Sequence, residues 1–76
     1  MSWTNTQNKL TKTYEFEDFL EAIKFVNSIA VLAEEMQHHP DISINYNSVT
    51  LNLTTHDNGN TVTSKDEELA EHIDQL

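Results

Sequence analysis

The sequence predicts an α+β fold: an antiparallel four-stranded sheet with two helices on one face, in the order β-β-α-β-β-α. Three observations carry this expectation. Two segments rich in Thr, aromatic and β-branched residues each turn on a polar dipeptide, at Gln7-Asn8 and at Asn47-Ser48. Between Glu17 and His38 the apolar residues instead recur at three- and four-residue steps, and a shorter stretch of the same period follows Ser64. A single domain over residues 1–76 accommodates all of these elements.

The first hairpin runs from Trp3 to Glu15. A tight reversal at Gln7-Asn8 sets Thr6 opposite Lys9 and Asn5 opposite Leu10, so Trp3, Asn5, Leu10, Lys12 and Tyr14 share one mixed face. The first helix is expected from Glu17 to about His38. Phe19, Ile23, Val26, Ala30 and Ala33 form its apolar stripe, widened by Leu20, Phe25, Ile29, Leu32 and Met36. Glu17, Asp18 and Glu21 fall in its first turn, where the helix dipole favours negative charge, and Pro40 biases His39 out of the helix. So wide a stripe can cover the sheet and still leave apolar surface for a second subunit. Asp41 to Thr55 reads as a second hairpin whose loop, Asn47-Ser48, pairs Tyr46 with Val49, Ile44 with Leu51 and Ile42 with Leu53. Asp57-Asn58-Gly59-Asn60 breaks the pattern as a loop. Ser64-Lys65-Asp66-Glu67 then has capping-box spacing, and Leu69, Ile73 and Leu76 stripe the second helix.

Composition narrows the function. A chain of 76 residues buries only ~60% of the surface it exposes when unfolded, so its core is thin. Without cysteine there are no disulfides, thiolate metal sites or cysteine nucleophiles, and oligomerisation or a well-idealised core is the remaining means of adding stability. Thirteen acidic residues against four lysines give a net charge of −9, which repels phosphate backbones and argues against direct nucleic-acid binding. The absence of arginine removes bidentate phosphate recognition. The polar N-terminus reads as no signal peptide, and no run of apolar residues is long enough to span a membrane. The cytoplasm is the expected compartment.

The candidate chemistry lies in histidines. The pairing that sets Tyr46 against Val49 carries on to His39 opposite His56, with His38 beside them at the helix end. Glu34 sits one helical turn before His38, close enough to orient or charge it. Three readings compete. In the plainest, His38 caps the helix C-terminus while His39 and His56 are exposed residues. In the second, the imidazoles hold zinc or copper, although adjacent histidines rarely converge on one ion. In the third, they exchange protons with a bound substrate and need no metal. His72, alone on the last helix, reads as a solvated residue.

The run Glu34-x3-His38-His39-Pro40-x5-Tyr46-x9-His56-x9-Asp66 resembles the signature of the pterin-4a-carbinolamine dehydratases. The strings AEEMQHHPDISINYNSVTLNLTTHD and SKDEELAEHIDQL, with Trp3 and Phe16-Glu17-Asp18-Phe19, extend the similarity to most of the chain. The sequence departs from the family in lacking the N-terminal helical extension of longer members and in a first hairpin two residues shorter. It also has a distinct loop after His56, and Gln37 where an acidic residue is common.

The resemblance implies a hydro-lyase, a 4a-hydroxytetrahydrobiopterin dehydratase acting in tetrahydropterin recycling. It would remove water from a 4a-hydroxytetrahydropterin to give the quinonoid dihydropterin, with the pterin as substrate and neither cofactor nor metal. Hydroxide is a poor leaving group (its conjugate acid has a pKa of ~15.7), so a general acid must protonate the 4a-hydroxyl while a base takes a ring N–H proton. By resemblance His39 is the acid, and His38 and His56 are the base and the orienting partner, in either order. Glu34 and Asp66 would be supporting carboxylates, and Gln37, Thr54, Thr55 and Asp57 would bind the substrate. A homodimer or homotetramer is implied. Two alternatives follow from the same family: a protein-interaction module of the transcriptional-coactivator type, and a pterin-binding domain of molybdopterin metabolism.

Overall fold

A computed structural model describes residues 3–55, 59 and 61–76. Its elements are β1 (Thr4–Thr6), β2 (Lys9–Glu15), α1 (Phe19–Met36), β3 (Asp41–Asn45), β4 (Ser48–Leu53) and α2 (Ser64–Asp74). The predicted order is the observed one. The four strands form one antiparallel sheet in the order β1-β2-β4-β3, so each hairpin contributes one central and one edge strand.

The first hairpin reverses where expected. Thr6 faces Lys9, and both Gln7 and Asn8 take positive φ, 54° and 63°, as a type I′ hairpin turn demands of its two central residues. The second hairpin corrects the prediction. Its loop is Tyr46-Asn47, with Asn45 opposite Ser48, Ile44 opposite Val49 and Ile42 opposite Leu51. Tyr46 therefore leaves the strand, and its φ of 57° is unusual for a bulky residue. The cause is tertiary. Asn47 accepts from the Phe16 backbone N–H at 2.9 Å and donates its side-chain amide to the Phe16 carbonyl at 2.8 Å, tying the loop to the end of β2. A two-residue change in pairing keeps every side chain on its predicted face.

That parity builds the core. Leu10, Val49, Leu51 and Leu53 point to one side of the sheet and are buried under Ala22 and Ile29 of α1 and Leu69, Ala70 and Ile73 of α2. The other face is polar, with Thr11 donating to Asn52 at 2.7 Å and Thr13 bonded to Thr50 at 3.0 Å. Truncating a buried Leu or Ile of so thin a core costs about 2–5 kcal/mol.

The first helix starts later than the sequence suggests and the second starts one residue earlier. Asp18 is the N-cap of α1 and its carboxylate accepts from the Glu21 N–H at 2.9 Å, so Glu17 and Asp18 precede the first turn. The apolar stripe is wider than the buried surface: its Phe19 and Leu20 are exposed, as is Val31 outside it. In α2 the capping box is Thr63 with Asp66, one residue before the predicted one, which makes Asp66 the third helical residue. Leu76 lies beyond the helix and is exposed. Among the described residues no helix is long and apolar enough to cross a membrane.

Candidate active site

The site grows from the way α1 ends. Gln37 takes the left-handed conformation, φ 52° and ψ 43°, and its side-chain amide donates to the Glu34 carbonyl at 2.7 Å. The His38 N–H then closes on the Ala33 carbonyl at 3.1 Å. Such a turn satisfies carbonyls that the helix leaves open. It also separates the partners of two consecutive histidines.

His38 is bonded through Nε2 to Asp66 Oδ1 at 2.5 Å, joining the end of α1 to the start of α2. The His38 side chain is 12% exposed and that of Asp66 is fully buried. His39 is bonded through Nε2 to Glu34 Oε2 at 2.6 Å, and both side chains are exposed. The expected pairing of Glu34 with His38 is thereby corrected: a carboxylate from the other helix takes His38, and Glu34 serves His39.

Asp66 is also engaged at its second oxygen. Oδ2 accepts from the Thr55 hydroxyl at 2.7 Å and from the Thr63 N–H at 2.9 Å. Burial pushes the Asp66 pKa up, but the bonds from His38, Thr63 and Thr55 outweigh it and hold the carboxyl below the ordinary range. An ionised carboxylate can only accept, so each of its partners must donate. The proton of neutral His38 therefore sits on Nε2, and Nδ1 is the atom left to accept one.

Thr54 and Thr55, at the end of β4, are buried, and their hydroxyls have protein acceptors: Thr54 donates to the Asn8 carbonyl at 2.9 Å, and Thr55 to Asp66. Their hydroxyls thus brace the fold. His56 and Asp57 lie outside the described residues. The pairing invoked to set His39 against His56 is not the pairing of this hairpin, because β3 begins at Asp41 opposite Asn52. Among the described residues no group of three histidine or carboxylate side chains is arranged to hold a metal ion.

A separate polar cluster holds the other end of α2. Asp74 accepts from Lys12 Nζ at 2.7 Å, from the Trp3 indole N–H at 3.1 Å and from the Tyr14 hydroxyl. Lys12 Nζ also lies 4.7 Å from the Tyr14 ring centroid. Burial, followed by the bond to Asp74 and its charge, raises the Tyr14 pKa. For Asp74 burial works upward, yet the bonds from Lys12, Tyr14 and Trp3 bring its pKa down. Nothing in the hydrophobic pattern announced this cluster, or Thr63 in the first; the Thr63-x-x-Asp66 spacing was the available signal for the latter.

The sequence matches the family model described as pterin 4 alpha carbinolamine dehydratase over residues 1–76. A protein of Picosynechococcus sp. that carries the provisional name pterin-4-alpha-carbinolamine dehydratase is 51% identical over 74 residues, covering 97% of this chain and 79% of that protein. One of the same provisional name from Sulfolobus acidocaldarius is 47% identical, covering 97% and 80%. The crystal structure of a transcriptional coactivator/pterin dehydratase from Brucella melitensis superposes with a TM-score of 0.90 at 32% identity, covering 97% of this chain and 80% of that one. A pterin dehydratase-like protein described as a RuBisCO assembly factor in the alpha-carboxysome shares the fold, with a TM-score of 0.82 at 22% identity, covering 99% and 88%. The chain belongs to the pterin 4 alpha carbinolamine dehydratase family.

Proposed function

We propose that the protein dehydrates a 4a-hydroxytetrahydropterin to the quinonoid dihydropterin by histidine acid–base catalysis, in the cytoplasm and without metal or cofactor. The observation that carries this reading is the pair of histidines at the end of α1, each bonded through Nε2 to a carboxylate, His38 by a buried one and His39 by an exposed one. His39, exposed beside Glu34, is the residue we assign to protonate the departing 4a-hydroxyl. His38, with its proton held on Nε2 by Asp66, takes the ring N–H proton at Nδ1, and His56 orients the substrate. Gln37, Thr54, Thr55 and Asp57 are the proposed substrate contacts. The Thr54 and Thr55 hydroxyls are engaged within the protein, and so is the Thr55 N–H, so a contact from these residues falls to their other atoms. The net charge of −9 is compatible with a substrate that carries no phosphate.

Turnover of synthetic 4a-hydroxytetrahydropterin, followed by formation of the quinonoid product, tests the proposal. A folded protein that leaves the spontaneous rate unchanged sinks it. In that case an interaction module becomes the better reading. The exposed Phe19, Leu20 and Val31 on α1, with Ile42 and Ile44 on edge strand β3, favour it. The same surfaces support a homodimer or homotetramer, which a concentration series in light scattering would reveal.

A further inference from the structure

The hydroxyl directions around Asp66 follow from counting protons. Thr55 has one hydroxyl proton, and it goes to Asp66 Oδ2 at 2.7 Å. The Thr55 oxygen lies 2.7 Å from Thr63 Oγ1, so in that contact Thr63 must be the donor. Thr63 Oγ1 in turn accepts from the Lys65 N–H at 3.3 Å, as an N-cap does. A one-way chain results: Lys65 N–H to Thr63, Thr63 to Thr55, Thr55 to Asp66. Across the carboxylate, Oδ1 meets His38 Nε2. Each link polarises the next, and no hydroxyl in the chain can reverse without leaving a partner unsatisfied.

We propose that Thr63, acting through Thr55 and Asp66, is a positioning residue for His38, so that the cap of α2 also sets which nitrogen of His38 is free to take a proton. This rests on the dehydratase reading for its catalytic consequence, but not for its structural one. Filling Oδ2 with two donors leaves Oδ1 to the imidazole and fixes the plane of the carboxylate. A rotated Asp66 would release His38 and let its proton move to Nδ1, the atom assigned as base. The side-chain hydroxyls and the carboxylate that make up the chain are spent on one another and on His38, and none of these atoms is a group assigned to the substrate. The effect of the chain is confined to the state of His38.

The test uses Thr63→Gly, which removes the hydroxyl while leaving a residue that an N-cap tolerates well, together with Thr55→Val and Thr63→Ser. The first readout is the His38 Nε2–H resonance by ¹⁵N-edited NMR, assigned by its loss in His38→Gln; the second is the split between kcat and KM. The wild type and Thr63→Ser should show a slowly exchanging Nε2–H. Thr63→Gly and Thr55→Val should lose it, with kcat lower by roughly 10-fold, the scale of partners that orient a functional imidazole, and KM unchanged. A wild type that shows the resonance but does not turn over the pterin removes the dehydratase reading and leaves the positioning role standing. Variants at 63 and 55 that keep both resonance and kcat overturn the positioning role and leave the dehydratase reading.

Discussion

His38–Asp66 and His39–Glu34 are the same chemical pair at nearly the same distance, 2.5 and 2.6 Å, placed in opposite surroundings. The first is buried, and its carboxylate accepts from three groups. The second lies in solvent, within one helix end and the turn that follows it. Water screens an exposed pair to a median of ~0–1 kcal/mol, whereas removing one partner of a buried pair strands the other at ~3–5 kcal/mol. The buried pair is thus held in place by the protein, whereas the exposed one is open to solvent.

The largest effect expected is on turnover. His39→Ala should lower it by ~10²–10⁴-fold, the usual worth of a general acid, with the fold intact. Circular dichroism beside the rate measurement checks both halves. Comparable small losses at all four histidines would erase the contrast between the pairs.

Next is stability. Asp66→Ala removes the acceptor of His38, Thr55 and the Thr63 N–H at once, and should cost about 3 kcal/mol in urea unfolding. Glu34→Ala should stay within about 0.5 kcal/mol. If the two substitutions cost the same, burial is not what separates the pairs.

A smaller effect appears in pH. The folded pKa of Asp66 is depressed below the ordinary aspartate value of about 3.9. Its contribution is therefore present above that value and is lost as pH falls through the depressed one. Asp66→Asn should flatten the acid limb of the stability profile. Asp74 supplies a second depressed carboxyl, so the limb should be reduced rather than abolished. The smallest effects expected are none at all: His72→Ala should be silent in turnover, and activity should persist in excess chelator. Loss with chelator, restored by stoichiometric zinc, would replace acid–base catalysis by a metal mechanism.

The two hairpins show how much of this was legible. Gln7-Asn8 is a local turn whose residues tolerate positive φ, so sequence alone placed it. The Tyr46-Asn47 loop depends on Asn47 reaching Phe16, 31 residues away, and on a tyrosine at φ 57°, neither of which propensity can express. The faces survived because an even shift preserves alternation, so the core was readable while the register was not. The candidate site divides in the same way. Glu34, His38, His39 and Asp66 stand out as candidates in the sequence, but which carboxylate bonds which histidine depends on the left-handed turn at Gln37 and on how α2 docks.

The cluster at Asp74 gives the protein a built-in optical gauge. Trp3 is the sole tryptophan; its ring sits 6.3 Å from Tyr14, edge to face, and its N–H is spent on the last residue of α2. Its emission therefore reports whether the far end of α2 is attached to the sheet, while the His38 imidazole reports on the near end. Following both signals through one denaturation would show whether α2 frays from its last turn or leaves the sheet in one piece.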